Sequence, residues 1–267
     1  MWSYCLTAWY SGFRGRSFHA VFAFTLLLLG VAYLGASFSA RQPQTVALDI
    51  GFSAVRFSLV LMSLFWVQEL VGRELERKTI LFALTYPRPR SDYLLGRYFG
   101  IISLLALATL VLGVALLVIT KASAWGYAQP YGVLLGGAYW LTLFGLWLDA
   151  CVVTAFCLAI SSVATSAVLP FAVGACFAIA AKMLGPVAGY LARGAEGDAD
   201  LVASYGSTLD ALLLVIPDLS RLDWRDMPLY HQALPIELIS GAIIMAVAYI
   251  AILLSVAALA FRQREFS

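Results

Sequence analysis

Residues 98–119 read YFGIISLLALATLVLGVALLVI, a run without one charged side chain. About 20 mostly apolar residues in a helix are enough to cross the hydrocarbon of a bilayer, and this run meets that length. It lacks the alternation of a strand, and a helix satisfies its own backbone hydrogen bonds in lipid. Runs of the same kind lie at 20–38, 51–68, 131–160, 163–184 and 238–261. Six spans follow, and the fold class is all-α and integral to the membrane. The composition agrees: 62% of the 267 residues are hydrophobic and 12% charged, against roughly 25% charged in an ordinary soluble domain. The net charge of +2 and the lack of a long Lys/Arg run argue against nucleic acid as a partner.

Lysine and arginine set the orientation. Arg73, Arg77, Lys78, Arg88, Arg90 and Arg97 lie between the second and third spans, with Arg14 and Arg16 before the first and Arg262 and Arg264 after the last. By the positive-inside rule these segments are cytoplasmic, both termini included, as expected of a multi-pass protein of a bacterial inner membrane. The outer segment 186–235 then faces the other side, and its excess of Asp and Glu fits. Its apolar stretch 209–217 is too short to span, so it is an interfacial helix or part of an external cap. Before the first span, Trp2, Leu6, Trp9 and Phe13 recur at helical spacing, an amphipathic helix expected to lie in the membrane interface. The small residues at 37–39 could pass for a signal-peptide cleavage site, but cleavage would put the basic loop and the basic tail on opposite sides. No linker interrupts the chain, which reads as a single transmembrane domain over 1–267.

The region 69–97 combines charge, a short apolar helix-like run and the chain-breaking Pro87 and Pro89. It is either an ordinary basic loop that fixes topology or a docking element whose charges meet a soluble partner. Glu74-x-Glu76-Arg77-x-Thr79, then Leu84-x-x-Pro87-x-x-Arg90, then Leu95-Gly96-Arg97, resembles the coupling region of type-2 ABC transporter permeases. Lys78 stands where that family usually has Gly. The layout of the whole chain is similar as well, and its size and the Pro217 region resemble the permeases found beside multicopper-enzyme maturation genes.

The resemblance implies a permease subunit of an exporter, with a short cytoplasmic coupling helix that contacts a separate ATPase subunit. Glu74, Glu76, Arg77, Lys78, Thr79, Pro87 and Arg90 would be the coupling residues. It also implies a second permease copy or paralogue, and ATP and Mg held by the partner rather than by this chain. The residues themselves carry no phosphate-loop motif, no His-Glu-x-x-His and no catalytic group, so no enzyme activity and no metal site are expected on the chain. The four cysteines lie in or near apolar runs and are read as reduced, apolar residues.

Asp149 is the one acid deep in a span, about 11 residues, or roughly 16 Å, from the inner end of its run. Gly145 and Thr142 share its face, one and two turns back. Arg56 and Lys182 are placed near span ends, where long side chains reach the interface, so Asp149 has no evident basic partner. It is either a substrate- or proton-path residue or a structural acid paired across helices. A Gly132/Gly136 pair is expected to open the fourth span and Pro170 to kink the fifth. A secondary transporter or channel would need ionisable residues in several spans, and Asp149 appears alone. A membrane scaffold or assembly factor is the remaining alternative.

Overall fold

The computed structural model describes residues 2–39, 41–76, 90–124, 132–193 and 216–263. The described elements are helical: α1 (Trp2–Arg14), α2 (Arg16–Phe38), α3 (Pro43–Val67), a π-helical turn (Gln68–Gly72), α4 (Arg73–Glu76), α5 (Arg90–Ala122), α6 (Gly137–Val163), α7 (Val168–Ala192), a 3-10 turn (Leu219–Leu222), α8 (Asp226–Tyr230) and α9 (Ile236–Gln263). Six segments are long and apolar enough to cross a membrane: Arg16–Phe38, Pro43–Gly72, Asp92–Ala122, Gly137–Val163, Val168–Ala192 and Ile236–Gln263. The chain is an all-α multi-pass membrane protein.

Two spans form the core. In its most apolar window Gly137–Val163 is 72% buried and Pro43–Gly72 61%, against 17% for Ile236–Gln263. The outer helices therefore present apolar side chains such as Leu27, Ile179, Ile244 and Leu259 outward, a surface that only lipid or another membrane helix can cover.

Boundaries differ from the hydropathy reading where polar residues lie inside helices. Pro43 opens α3, well before 51, because Gln44 and Asp49 are carried within the helix. Arg56 consequently sits in the interior of its span. In the same way α7 runs on through Pro186 to Ala192, so Lys182 is inside it. Pro170 falls in the first turn of α7, where a missing N–H leaves no helix bond unmade. Residues 132–135 are not helical; Leu134 N–H donates to the Pro228 carbonyl at 3.0 Å, and the Cβ positions of Gly132 and Gly136 meet nothing within 4 Å. That glycine pair packs no helices.

One end of the bundle gathers α1, the π-turn, the start of α5 and the end of α9. Tyr93 lies buried between Phe261, stacked at 6.0 Å, and Tyr4, edge-on at 5.5 Å. Helix α1 packs on α5 through Ala8 against Gly100, and Trp9 Nε1 donates to Ser103 Oγ at 2.7 Å. The expected apolar face is thus divided: Trp9 turns toward α5, while Leu6 remains exposed, as does Tyr10 beside it.

The opposite end is closed by a strap, residues 218–230, laid on the core. Thr142 Oγ1 lies 3.0 Å from the Trp224 carbonyl and 2.9 Å from the Ala138 carbonyl, able to donate to either. Gly145 lets the strap approach: a Cβ there would stand 2.2 Å from the Leu222 carbonyl oxygen. Gly145→Val is expected to lift the strap and destabilise the protein by about 1–3 kcal/mol, whereas Gly241→Val, whose Cβ meets nothing within 4 Å, is close to neutral. Thermal unfolding midpoints in detergent distinguish the two.

Candidate functional site

Asp149, on α6, is 1% exposed, and Arg56, on α3, donates Nε–H to its Oδ2 at 2.6 Å. The basic partner that hydropathy had assigned to the interface is therefore within its span, its side chain 19% exposed, and paired. An isolated charge in hydrocarbon costs several kcal/mol, and an opposite charge at hydrogen-bond distance offsets much of that. Asp49, Ser53 and Arg56 recur at i, i+4 and i+7 and share one face of α3.

The same face meets the strap. Arg225 Nη1 donates to Asp49 Oδ1 at 3.0 Å and to Ser53 Oγ at 2.9 Å, while its Nε donates to Asp223 Oδ1 at 2.9 Å. The other Asp223 oxygen receives Lys182 Nζ of α7 at 2.6 Å. Three carboxylates (Asp49, Asp149, Asp223) face three cations (Arg56, Lys182, Arg225), so the seam is neutral and ties α3, α6, α7 and the strap together. Burial alone would raise the pKa of Asp223, but the Arg225 hydrogen bond and the Lys182 charge outweigh it and hold the carboxyl below the usual range. Asp223 therefore stays ionised at neutral pH. Thr142 belongs to the strap's seat, two turns from Asp149, and its hydroxyl is engaged with backbone carbonyls. The small, polar face of α6 is thus where the strap sits.

At the other end, the π-turn adds a residue to the last part of the second span. Such turns recur at functional sites. It leads into α4, where Glu74 Oε2 accepts from Tyr93 Oη at 2.6 Å and Oε1 pairs with Arg97. Arg97 also lies over the Tyr93 ring, 5.5 Å from its centroid. Glu69 Oε1, within the turn, accepts from Ser17 Oγ at 2.6 Å. Two acids thus fasten the exit of the second span to the entrances of the first and third. Of the residues singled out as coupling elements, Glu74 lies in this clasp. Glu76 ends α4 and Arg90 begins α5, with backbone alone described. Arg77, Lys78, Thr79 and Pro87 lie outside the described residues, as does 209–215 of the outer segment.

The sequence was silent on Tyr93 and Arg97 as partners of Glu74. Their signal is weak but present: a tyrosine and an arginine one helical turn apart at the start of a span, downstream of the glutamates at 74 and 76.

With this architecture in hand, comparison with known proteins is informative. A model of the family described as "ABC-2 family transporter protein" matches residues 8–266. The chain belongs to the ABC-2 transporter family. Two curated proteins are similar to it, each named "Probable ABC transporter permease protein NosY". That of Pseudomonas aeruginosa is 36% identical over 106 residues, 38% of this chain and 38% of that protein. That of Stutzerimonas stutzeri is 34% identical over 119 residues, 40% and 42% respectively. The matched stretch spans about two fifths of the curated relatives' length. The family match takes in the clasp, the ion seam and the strap alike.

Removing one member of the central pair leaves the other charge buried. Arg56→Met or Asp149→Leu alone is expected to cost about 3–5 kcal/mol, and the double variant to lie near the wild type. Unfolding midpoints of the three proteins in one detergent check this; singles as stable as the double would contradict it.

Proposed function

We propose that this chain is the membrane-spanning permease subunit of an ATP-driven transporter of the exporter class. It acts with a separate ATPase subunit and with a second permease copy or paralogue. Family membership supports the permease assignment, and the observation that carries the coupling role is the Glu74–Tyr93–Arg97 clasp. A coupling element must pass movement into the spans without yielding. The chain 77–89 leaves from a helix pinned by a charge-assisted pair and returns at the start of α5, which carries the other half of that pair. Movement imposed on this region therefore reaches the second and third spans together. Hydrolysis of ATP takes place on the partner; this chain supplies the path and the linkage.

On this reading the clasped end is cytoplasmic in a bacterial inner membrane, in keeping with its Arg and Lys content. The ion seam then closes the outer half of the bundle. A stand-alone secondary transporter would want ionisable residues in several spans, and Arg56, Asp149 and Lys182 meet that count better than Asp149 alone. They are, however, spent on one another and on the strap, which suits a structural seam rather than an open relay.

Glu74→Gln, which removes the charge but keeps an acceptor for Tyr93 and Arg97, is expected to leave the membrane bundle folded and to lower permease-dependent ATPase activity of the assembled complex by about tenfold, the worth of one strong charge-assisted bond. Steady-state hydrolysis by the purified complex in nanodiscs, compared with that of the ATPase subunit alone, measures it. Full stimulation in the variant would remove the clasp from the coupling route.

A further inference from the structure

Helix α1 carries a feature that coupling does not use. Leu6, Trp9, Tyr10 and Arg14 line a cavity of about 430 Å³ on its exposed side. Leu6, Tyr10 and Arg14 fall at i, i+4 and i+8, so they form one stripe running from an aliphatic group through a phenol to a guanidinium. Tyr10 is 72% exposed. Arg56, Arg73, Arg97, Lys182, Arg221 and Arg225 are ion-paired, but Arg14 and its neighbour Arg16 form no ion pair among the described residues. The nearby acid, Glu69, is already held by Ser17 and faces Arg73 at 3.8 Å. The surface around the cavity is therefore cationic as well as apolar.

We propose that this groove binds an anionic phospholipid, its phosphate on Arg14 beside the Tyr10 hydroxyl and its glycerol and upper acyl carbons over Leu6 and Trp9. A helix fastened to the start of a membrane span holds the stripe at headgroup depth, where a basic side chain and an aromatic belt favour such a lipid. Arg16 does not line the cavity. Each basic side chain near a membrane surface contributes about fivefold to the preference for an anionic head.

The test uses the full chain, purified with its ATPase partner, in detergent containing equimolar phosphatidylglycerol and phosphatidylcholine with matched acyl chains. Native mass spectrometry counts the retained lipids. The wild type is expected to retain phosphatidylglycerol about fivefold over phosphatidylcholine. Arg14→Gln, at an exposed position with no ion pair among the described residues, is expected to bring the ratio near one, and Arg41→Gln to leave it unchanged. Equal retention by the wild type, or an unaltered preference in Arg14→Gln, would overturn the assignment.

Discussion

Everything at the strap end of this protein depends on the Arg56–Asp149 pair. Two charges in the centre of a helical bundle are tolerated only because each supplies the other's counter-ion, and that requirement fixes the register of α3 against α6. Once α3 is set, Asp49 and Ser53 come to the same face and receive Arg225 from the strap. Arg225 shares Asp223 with Lys182, which brings in α7. A chain of ion pairs thus links the best-buried helix pair to one of the least buried spans.

The two ends of the bundle are built on different logic. The strap end is a neutral seam, broad and internally compensated, covered by a strap whose backbone lies directly on Gly145. The opposite end is a local clasp, in which one carboxylate holds a tyrosine and an arginine of the next span. Under the proposed function this asymmetry has a use: a stiff point of application at the clasp, and a distributed closure at the strap. The π-turn at the clasp end places a break in regular helix bonding immediately before the clasp.

Much of this was legible in the sequence, and for identifiable reasons. Apolar runs longer than a bilayer is thick read directly as spans, because lipid leaves a helix few alternatives. The glutamate-and-arginine pattern from Glu74 to Arg97 pointed to the family. The ion seam was obscured by the same hydropathy that revealed the spans. A window begun at residue 51 discarded Asp49 and pushed Arg56 toward an apparent end; a window ended at 184 did the same for Lys182. Asp149 then looked solitary. Charges that lie in register across three helices are separated by up to 176 positions along the chain, as Asp49 and Arg225 are, and no local pattern records their meeting. The strap was hidden likewise, since its seat on α6 is made by the absence of a side chain at Gly145.

The central claim is that the segment leaving the clasp is the partner's grip. A photo-reactive amino acid placed at position 79 in the intact complex tests it most directly, with position 232 at the strap end as reference. The account predicts a covalent adduct with the ATPase subunit from position 79 and none from position 232. An adduct from 232 alone, or transport by the purified chain without any ATPase, would contradict it.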